Sequence, residues 1–190
     1  MKVGLYFGSF NPVHHGHLII ASHVVQSTGL DQVWFVVSPQ NPLKPAAGLL
    51  NEYQRLYLIR AAIEGEKRLR ASDIEFKLPK PSYTIDTLTY IREKYAQHDF
   101  SIIMGSDSYQ NLTHWKNYEQ LLKDTEFFIY VRAGFENIPA YQGARTQILE
   151  APLLQISATH IRKILKAGQS IRYLVPDVVK EEIDRNHYYL

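Results

Sequence analysis

Residues 4 to 18 read Gly-Leu-Tyr-Phe-Gly-Ser-Phe-Asn-Pro-Val-His-His-Gly-His-Leu, and this stretch decides the fold. Val3, Leu5 and Phe7 are apolar at the two-residue period of a pleated strand. Gly8-Ser9 and Asn11-Pro12 then stop regular structure, because glycine permits unusual φ and proline fixes it. Leu18, Ile19, Ala21, Ser22 and Val25 resume at helical spacing, and Gly29 is a fitting residue just past a helix end. The histidines therefore fall in the first helical turn, where His14 and His17 share one face. Unpaired backbone N–H groups and the positive end of the dipole gather at such a terminus, so two imidazoles there stand beside an anion site. The anion inferred is phosphate. His15 and His23 have no partner at a matching spacing and read as surface or cap residues.

The whole chain sets bounds around that stretch. Its 190 residues suffice for one substantial core, so a single domain over residues 1–190 is expected. With 45% hydrophobic and 21% charged residues, the composition argues against a disordered or fibrous chain. Cysteine is absent, which excludes a disulfide scaffold, a thiolate metal site and a cysteine nucleophile. No apolar run approaches the roughly 20 residues a membrane helix needs, and the N-terminus enters a strand instead of a signal-peptide core. A cytoplasmic protein with no membrane partner is expected. A net charge of +2 suits polyphosphate ligands but falls short of a clustered nucleic-acid footprint, so no nucleic-acid partner is expected. A homo-oligomer is compatible with the sequence.

Taken in order, Asp31 to Ser38 is a continuous apolar run of strand length, as for a parallel strand covered on both faces. Pro39 to Gly48 holds three prolines and is a long loop at that strand's C-terminal end, carrying Lys44 as either a phosphate contact or a plain surface lysine. Asn51 and Gln54 resemble a capping box before Leu56, Ile59, Ala62 and Ile63, with Gly65 closing the helix. Leu69 to Leu78 alternates as a third strand. Thr84 then stands at the start of a helix carrying Leu88, Ile91 and Tyr95 inward, where its commoner role is a cap. Phe100 to Met104 is a buried strand running into Gly105-Ser106-Asp107-Ser108. In an open α/β sheet, ligands collect outside the carboxyl ends of strands where the order reverses, so the turns at Gly8 and Gly105 are expected to face one crevice. Asp107 there is expected to bind a ribose hydroxyl or a main-chain amide because the two turns converge, although an acidic residue after a strand is often only an N-cap.

Trp115 lies between Leu112 and Leu122 among polar neighbours, as a core anchor or a stacking plate. Phe127 to Val131 reads as a fifth strand ending at Arg132, residues 133 to 147 as a connection, and Leu149 with Leu153 to Ile156 as a further strand. Ser157 is placed to cap a helix carrying Ile161, Ile164 and Leu165 inward and closing at Gly168. That helix start, with the donor fork of Arg162, suits an oligophosphate, provided the side chain reaches back toward the terminus. Pro176 opens a last helix through Arg185 bearing Val178, Val179 and Ile183. Five or six mainly parallel strands alternate with helices, which is a Rossmann-like, doubly wound α/β sheet with helices on both faces.

Gly8, Ser9, Phe10, Asn11, Pro12, His14, Gly16 and His17 resemble the nucleotidylyltransferase signature, a G-[ST]-F-[DN]-P-x-H turn followed by x-G-H. Gly105 to Asp107 and Ile156 to Arg162 resemble the second and third motifs of that superfamily, the last through its I-S-[ST]-T-x-[IV]-R pattern. Within it, Pro81 to Leu88 and Trp115 resemble the bacterial nicotinate-nucleotide adenylyltransferases, and the stretch from Ser38 to Lys44 looks like their substrate loop. The resemblance implies transfer of AMP from ATP to nicotinate mononucleotide, giving nicotinate adenine dinucleotide and pyrophosphate, with Mg²⁺ carried by the ATP phosphates. It implies catalytic roles for His14, His17 and Arg162. It implies ATP contacts from Gly8, Ser9, Phe10, Gly105, Asp107, Ile156 and Ser157, and mononucleotide contacts from Lys44, Thr84 and Trp115. An acceptor of nicotinamide mononucleotide or phosphopantetheine, and a nucleotide-binding regulator without turnover, stay open at this point. Phe7, Ser9, Asn11 and Ala158 depart from the usual glycine, threonine, aspartate and serine, and Asn11 is given no proton-transfer role.

Overall fold

The computed structural model describes residues 1–42, 48–152 and 154–190. Its organising feature is a six-stranded sheet in the order β3-β2-β1-β4-β5-β6, built from β1 (Lys2–Gly8), β2 (Gln32–Val37), β3 (Leu69–Ser72), β4 (Asp99–Gly105), β5 (Glu126–Tyr130) and β6 (Arg145–Leu149). Every neighbouring pair is parallel, with Leu5 of β1 opposite Trp34 of β2 on one side and Ile102 of β4 on the other. The order reverses between β1 and β4, so their two C-terminal ends flank the crevice of a doubly wound sheet.

Alternate residues of the central strands feed two cores. Tyr6, Val33, Phe35 and Val37 face α1 (His15–Ser27), α2 (Glu52–Ala62), α6 (Ala158–Lys166) and α7 (Asp177–Asn186), through Val24, Leu56, Ile59, Ile161 and Val179. Val3, Leu5, Trp34 and Val36 face α3 (Thr84–Lys94), α4 (Ser106–Gln110) and α5 (Tyr118–Asp124), through Leu88, Ile91, Tyr109 and Leu121. Burial on both faces is why these strands read as unbroken apolar runs.

Three expectations are corrected. The third strand stops at Ser72 instead of reaching Leu78, because Ile74–Lys77 forms a 3-10 turn that drives Glu75 into the interior. The sixth strand is Arg145–Leu149: it begins inside the span 133–147 read as a connection and ends at Leu149, which is expected in a strand. As an edge strand it is exposed at Arg145, Thr146 and Gln147, and so lacks the apolar signature. Ala151, Pro152 and residues 154–156 form no strand, and Leu153 lies outside the described residues. Pro176 is the N-cap of α7 and not its first helical residue, while Val178 faces solvent.

Candidate active site

The cleft of about 740 Å³ above the β1/β4 switch is lined by Gly8, Ser9, Phe10, His14, His17, Asp107, Ile156, Ser157 and Arg162 among others. Three remote segments thus meet as the sequence motifs require. β1 ends at Gly8, where any Cβ would stand 2.8 Å from the ring of Phe10, so the turn closes only over glycine. Phe10, with φ 46°, is 3% exposed and packs edge-on against Tyr6, Phe35 and His17. Its ring is a core plug beneath the cleft.

His14 is the N-cap of α1, and its carbonyl accepts from the amides of His17 at 2.9 Å and Leu18 at 3.3 Å. His14 therefore precedes the first helical turn and His17 lies within it. Their rings stack at 3.7 Å between centroids and 23° between planes. Gly16 permits this, since a Cβ there would lie 3.1 Å from the His14 ring. His14 is buried and its Nδ1 has no hydrogen-bond partner. Burial first, then the charges of Arg132 and His15, pull its pKa down to about 4, so it stands as a neutral imidazole near pH 7.

Opposite the histidines, Asp107 in the first turn of α4 pairs with Arg132 at 3.0 Å. Ser106 Oγ accepts from the Arg132 amide at 2.9 Å, which ties the exits of β4 and β5 together. Gly105 does not line the cleft. Its missing side chain is the point, because a Cβ would press on the Asp107 carboxylate and lie 2.8 Å from Arg132 Cδ. On the third side, Ser157 caps α6 by accepting from the His160 amide at 3.2 Å. Arg162 reaches back as required: Nη2 donates to Thr159 Oγ1 at 3.3 Å and Nη1 donates to the Asn11 carbonyl at 2.8 Å.

The expected mononucleotide residues are arranged differently. Thr84 is the first residue of α3, with Tyr83 at the cap position, and Trp115 is half-buried against the second core. Neither lines the cleft. Their neighbours do meet: Lys116 pairs with Asp86 at 2.8 Å and sits 5.0 Å above the Tyr83 ring. The Ser82 amide donates to the carbonyl of Gln40, which does line the cleft, so this segment adjoins it. Lys44 lies outside the described residues.

A cytidylyltransferase-like family pattern matches residues 5–164. A probable nicotinate-nucleotide adenylyltransferase of Cytophaga hutchinsonii is 51% identical over 189 residues, covering 100% of this chain and 98% of its own. One from Flavobacterium johnsoniae is 46% identical over 191 residues, covering 100% and 99%. The chain belongs to the nicotinate-nucleotide adenylyltransferase family. Plasmodium falciparum nicotinic acid mononucleotide adenylyltransferase, solved in complex with NaAD, has the same fold, with a TM-score of 0.83 at 19% identity over 99% of this chain and 97% of that one.

The structure also gives partners to three charged residues that sequence reasoning passed over. Arg132 follows a strand end next to β4, the same signal that selected Asp107. Arg55 is a charge on the buried face of α2, in step with Ile59 and Ala62, and is fully buried. Glu75 is buried too, accepting from Ser82 Oγ at 2.6 Å and Thr87 Oγ1 at 2.9 Å; desolvation raises its pKa against those bonds. Among the described residues no helix is long and apolar enough to cross a membrane.

Proposed function

We propose that this enzyme joins the AMP part of ATP to nicotinate mononucleotide in the cytoplasm, releasing pyrophosphate and forming nicotinate adenine dinucleotide. The observation that carries the reading is the stacked His14–His17 pair at the head of α1, in one cleft with the capped start of α6 and Arg162. An oxygen of the mononucleotide 5′-phosphate attacks the α-phosphorus of ATP. One P–O bond forms, the bond from that phosphorus to the bridging oxygen breaks, and its electron pair leaves with pyrophosphate. The attacking oxygen is already anionic near pH 7, so no enzyme nucleophile is needed. Positioning and charge stabilisation carry the catalysis.

In this scheme His17 and neutral His14 donate N–H bonds to phosphoryl oxygens as charge moves to the leaving group. Ser157, its neighbouring amides and Arg162 hold the β and γ phosphates. Gly8, Ser9 and the Phe10 backbone shape the turn around ATP, Ile156 closes the wall beside Ser157, and Asp107 takes the adenosine side with Gly105 making room. Thr84 and Trp115 form the nicotinate wall. Mg²⁺ fits the donor set as an ion brought by ATP: among the described residues no cluster of His, Asp and Glu could hold a metal alone, while Asp107 keeps a buried Oδ1 without a hydrogen-bond partner. When bound, the ion neutralises phosphate charge.

The test is pyrophosphate release from ATP with nicotinate mononucleotide, nicotinamide mononucleotide and phosphopantetheine in turn. Turnover is expected to be fastest with the first. Release that is fastest with another acceptor overturns the substrate assignment, and ATP binding without release under all three overturns the enzyme.

A further inference from the structure

Arg55 takes no part in the scheme above, yet its surroundings are unusual. It is 0% exposed, and among the described residues it makes four hydrogen bonds, all to backbone carbonyls. Nη1 donates to Ser9 at 2.6 Å, in the turn that follows β1, and to Ser38 at 2.9 Å, where the chain leaves β2. Nη2 donates to Pro39 at 3.2 Å, and Nε donates to Leu50 at 2.7 Å, where the chain returns toward α2. Ser9 and Gln40 line the cleft, while Arg55 itself does not.

A second side chain grips the same pieces. Asn11 Nδ2 donates to the Gly48 carbonyl at 3.0 Å, and Asn11 Oδ1 accepts from the Leu50 amide at 3.1 Å. The Asn11 carbonyl in turn accepts from Arg162 at 2.8 Å. Both grips suit the residue types. A guanidinium presents its donors in one rigid plane, so carbonyls from three segments are satisfied together only at one relative placement. A carboxamide both donates and accepts, whereas an aspartate in its place could accept from Leu50 but would set a negative charge against the Gly48 carbonyl.

We propose that Arg55, with Asn11, is a positioning residue that fixes the triphosphate turn against residues 38–39 and 48–50, and so sets the approach of the acceptor phosphate to ATP. This deepens the adenylyltransferase reading and rests on it for the identity of the acceptor. Arg55 touches no substrate; it acts through Ser9, Ser38, Pro39 and Leu50.

The test compares Arg55→Lys and Asn11→Asp with the parent in the full chain. Measurements are steady-state kinetics with ATP and nicotinate mononucleotide, calorimetric affinity for a non-hydrolysable ATP analogue, and thermal melting. Misplacement by about 1 Å costs on the order of 100-fold, so Arg55→Lys is expected to lower kcat/KM for the acceptor about 100-fold while analogue affinity changes less than about threefold. Asn11→Asp is expected to lower it about tenfold, with kcat falling less than acceptor KM rises. Parallel loss for both substrates, in step with melting temperature, overturns the proposal, as do unchanged kinetics. Amide exchange at residues 48–50, read without any acceptor, separates this from the substrate assignment. Exchange about tenfold faster there in both variants, with β1 and α6 unchanged, supports the positioning role even if no pyridine mononucleotide turns over, and unchanged exchange overturns it.

Discussion

In the proposed scheme, the triphosphate side and the acceptor side of this cleft are built by different means. On the triphosphate side, each segment supplies a strand-end turn or a helix start: Gly8 to His17, Ser106 to Asp107, and Ser157 to Arg162. The chemistry there belongs to local backbone geometry plus a few adjacent side chains. On the acceptor side, the strand-end segment after β2 and the segment leading into α3 are fastened in addition by side chains from remote parts of the chain. They are held from beneath by Arg55 and Glu75, two charged side chains fully or nearly fully buried, which bond to carbonyls and hydroxyls from separate segments. A local site tolerates change elsewhere, whereas a site hung on buried hubs responds to residues that never meet a substrate.

The largest effect should come from the local side. In the proposed scheme His17→Ala removes an N–H donor from the reacting phosphoryl group, and loss of one such donor costs on the order of 10²–10³ in kcat. Steady-state pyrophosphate release measures it, with ATP analogue affinity expected to fall far less. Turnover near that of the parent would remove the paired imidazoles from the mechanism and erase the distinction drawn here.

Next in size is the pH response of His14. The folded imidazole titrates near pH 4 and the unfolded one near 6.5, so between those values the unfolded state binds more protons. Stability contributed by this group is therefore complete above pH 6.5 and lost as pH falls toward 4, about 3 kcal/mol in all. Chemical denaturation across that window should show the slope, and His14→Asn should flatten it. A slope unchanged in the variant would mean that His14 is not held neutral by its surroundings.

On the hub side, Glu75→Ala leaves the hydroxyls of Ser82 and Thr87 without their acceptor in a buried setting. Stranded buried groups cost about 1–3 kcal/mol, so the melting temperature should drop and the acceptor KM should rise while ATP analogue affinity holds. Equal damage to both substrates would show that the two sides are not separate.

The same contrast explains what could be read in advance. The sheet, its order at the switch point and the meeting of Gly8, His14, His17, Asp107, Ser157 and Arg162 were legible because period, glycine, proline and cap residues are local signals. Arg132 was missed although it carries the same strand-end signal as Asp107. Arg55 and Glu75 could not be placed, since a charge on an apolar helix face or in a weak strand pattern has no local reason to be buried; its partners lie up to 46 residues away. The sixth strand was hidden because its first three residues, Arg145, Thr146 and Gln147, lie on an exposed edge and are polar.

The smallest predicted effect is the sharpest comparison, because it uses one kind of interaction on both sides. Asn51 caps α2 by accepting from the Tyr53 amide at 2.9 Å, and Ser157 caps α6 by accepting from the His160 amide at 3.2 Å. Either residue replaced by alanine loses a cap worth about 1 kcal/mol, so Asn51→Ala and Ser157→Ala should melt at similarly lowered temperatures. Only Ser157 lines the cleft. ATP KM should therefore rise several-fold in Ser157→Ala, through the lost hydroxyl and a looser helix start, and stay within about twofold of the parent in Asn51→Ala. If both variants weaken ATP alike, the start of α6 matters only as a helix end, and the triphosphate must be held by the turn after β1 alone.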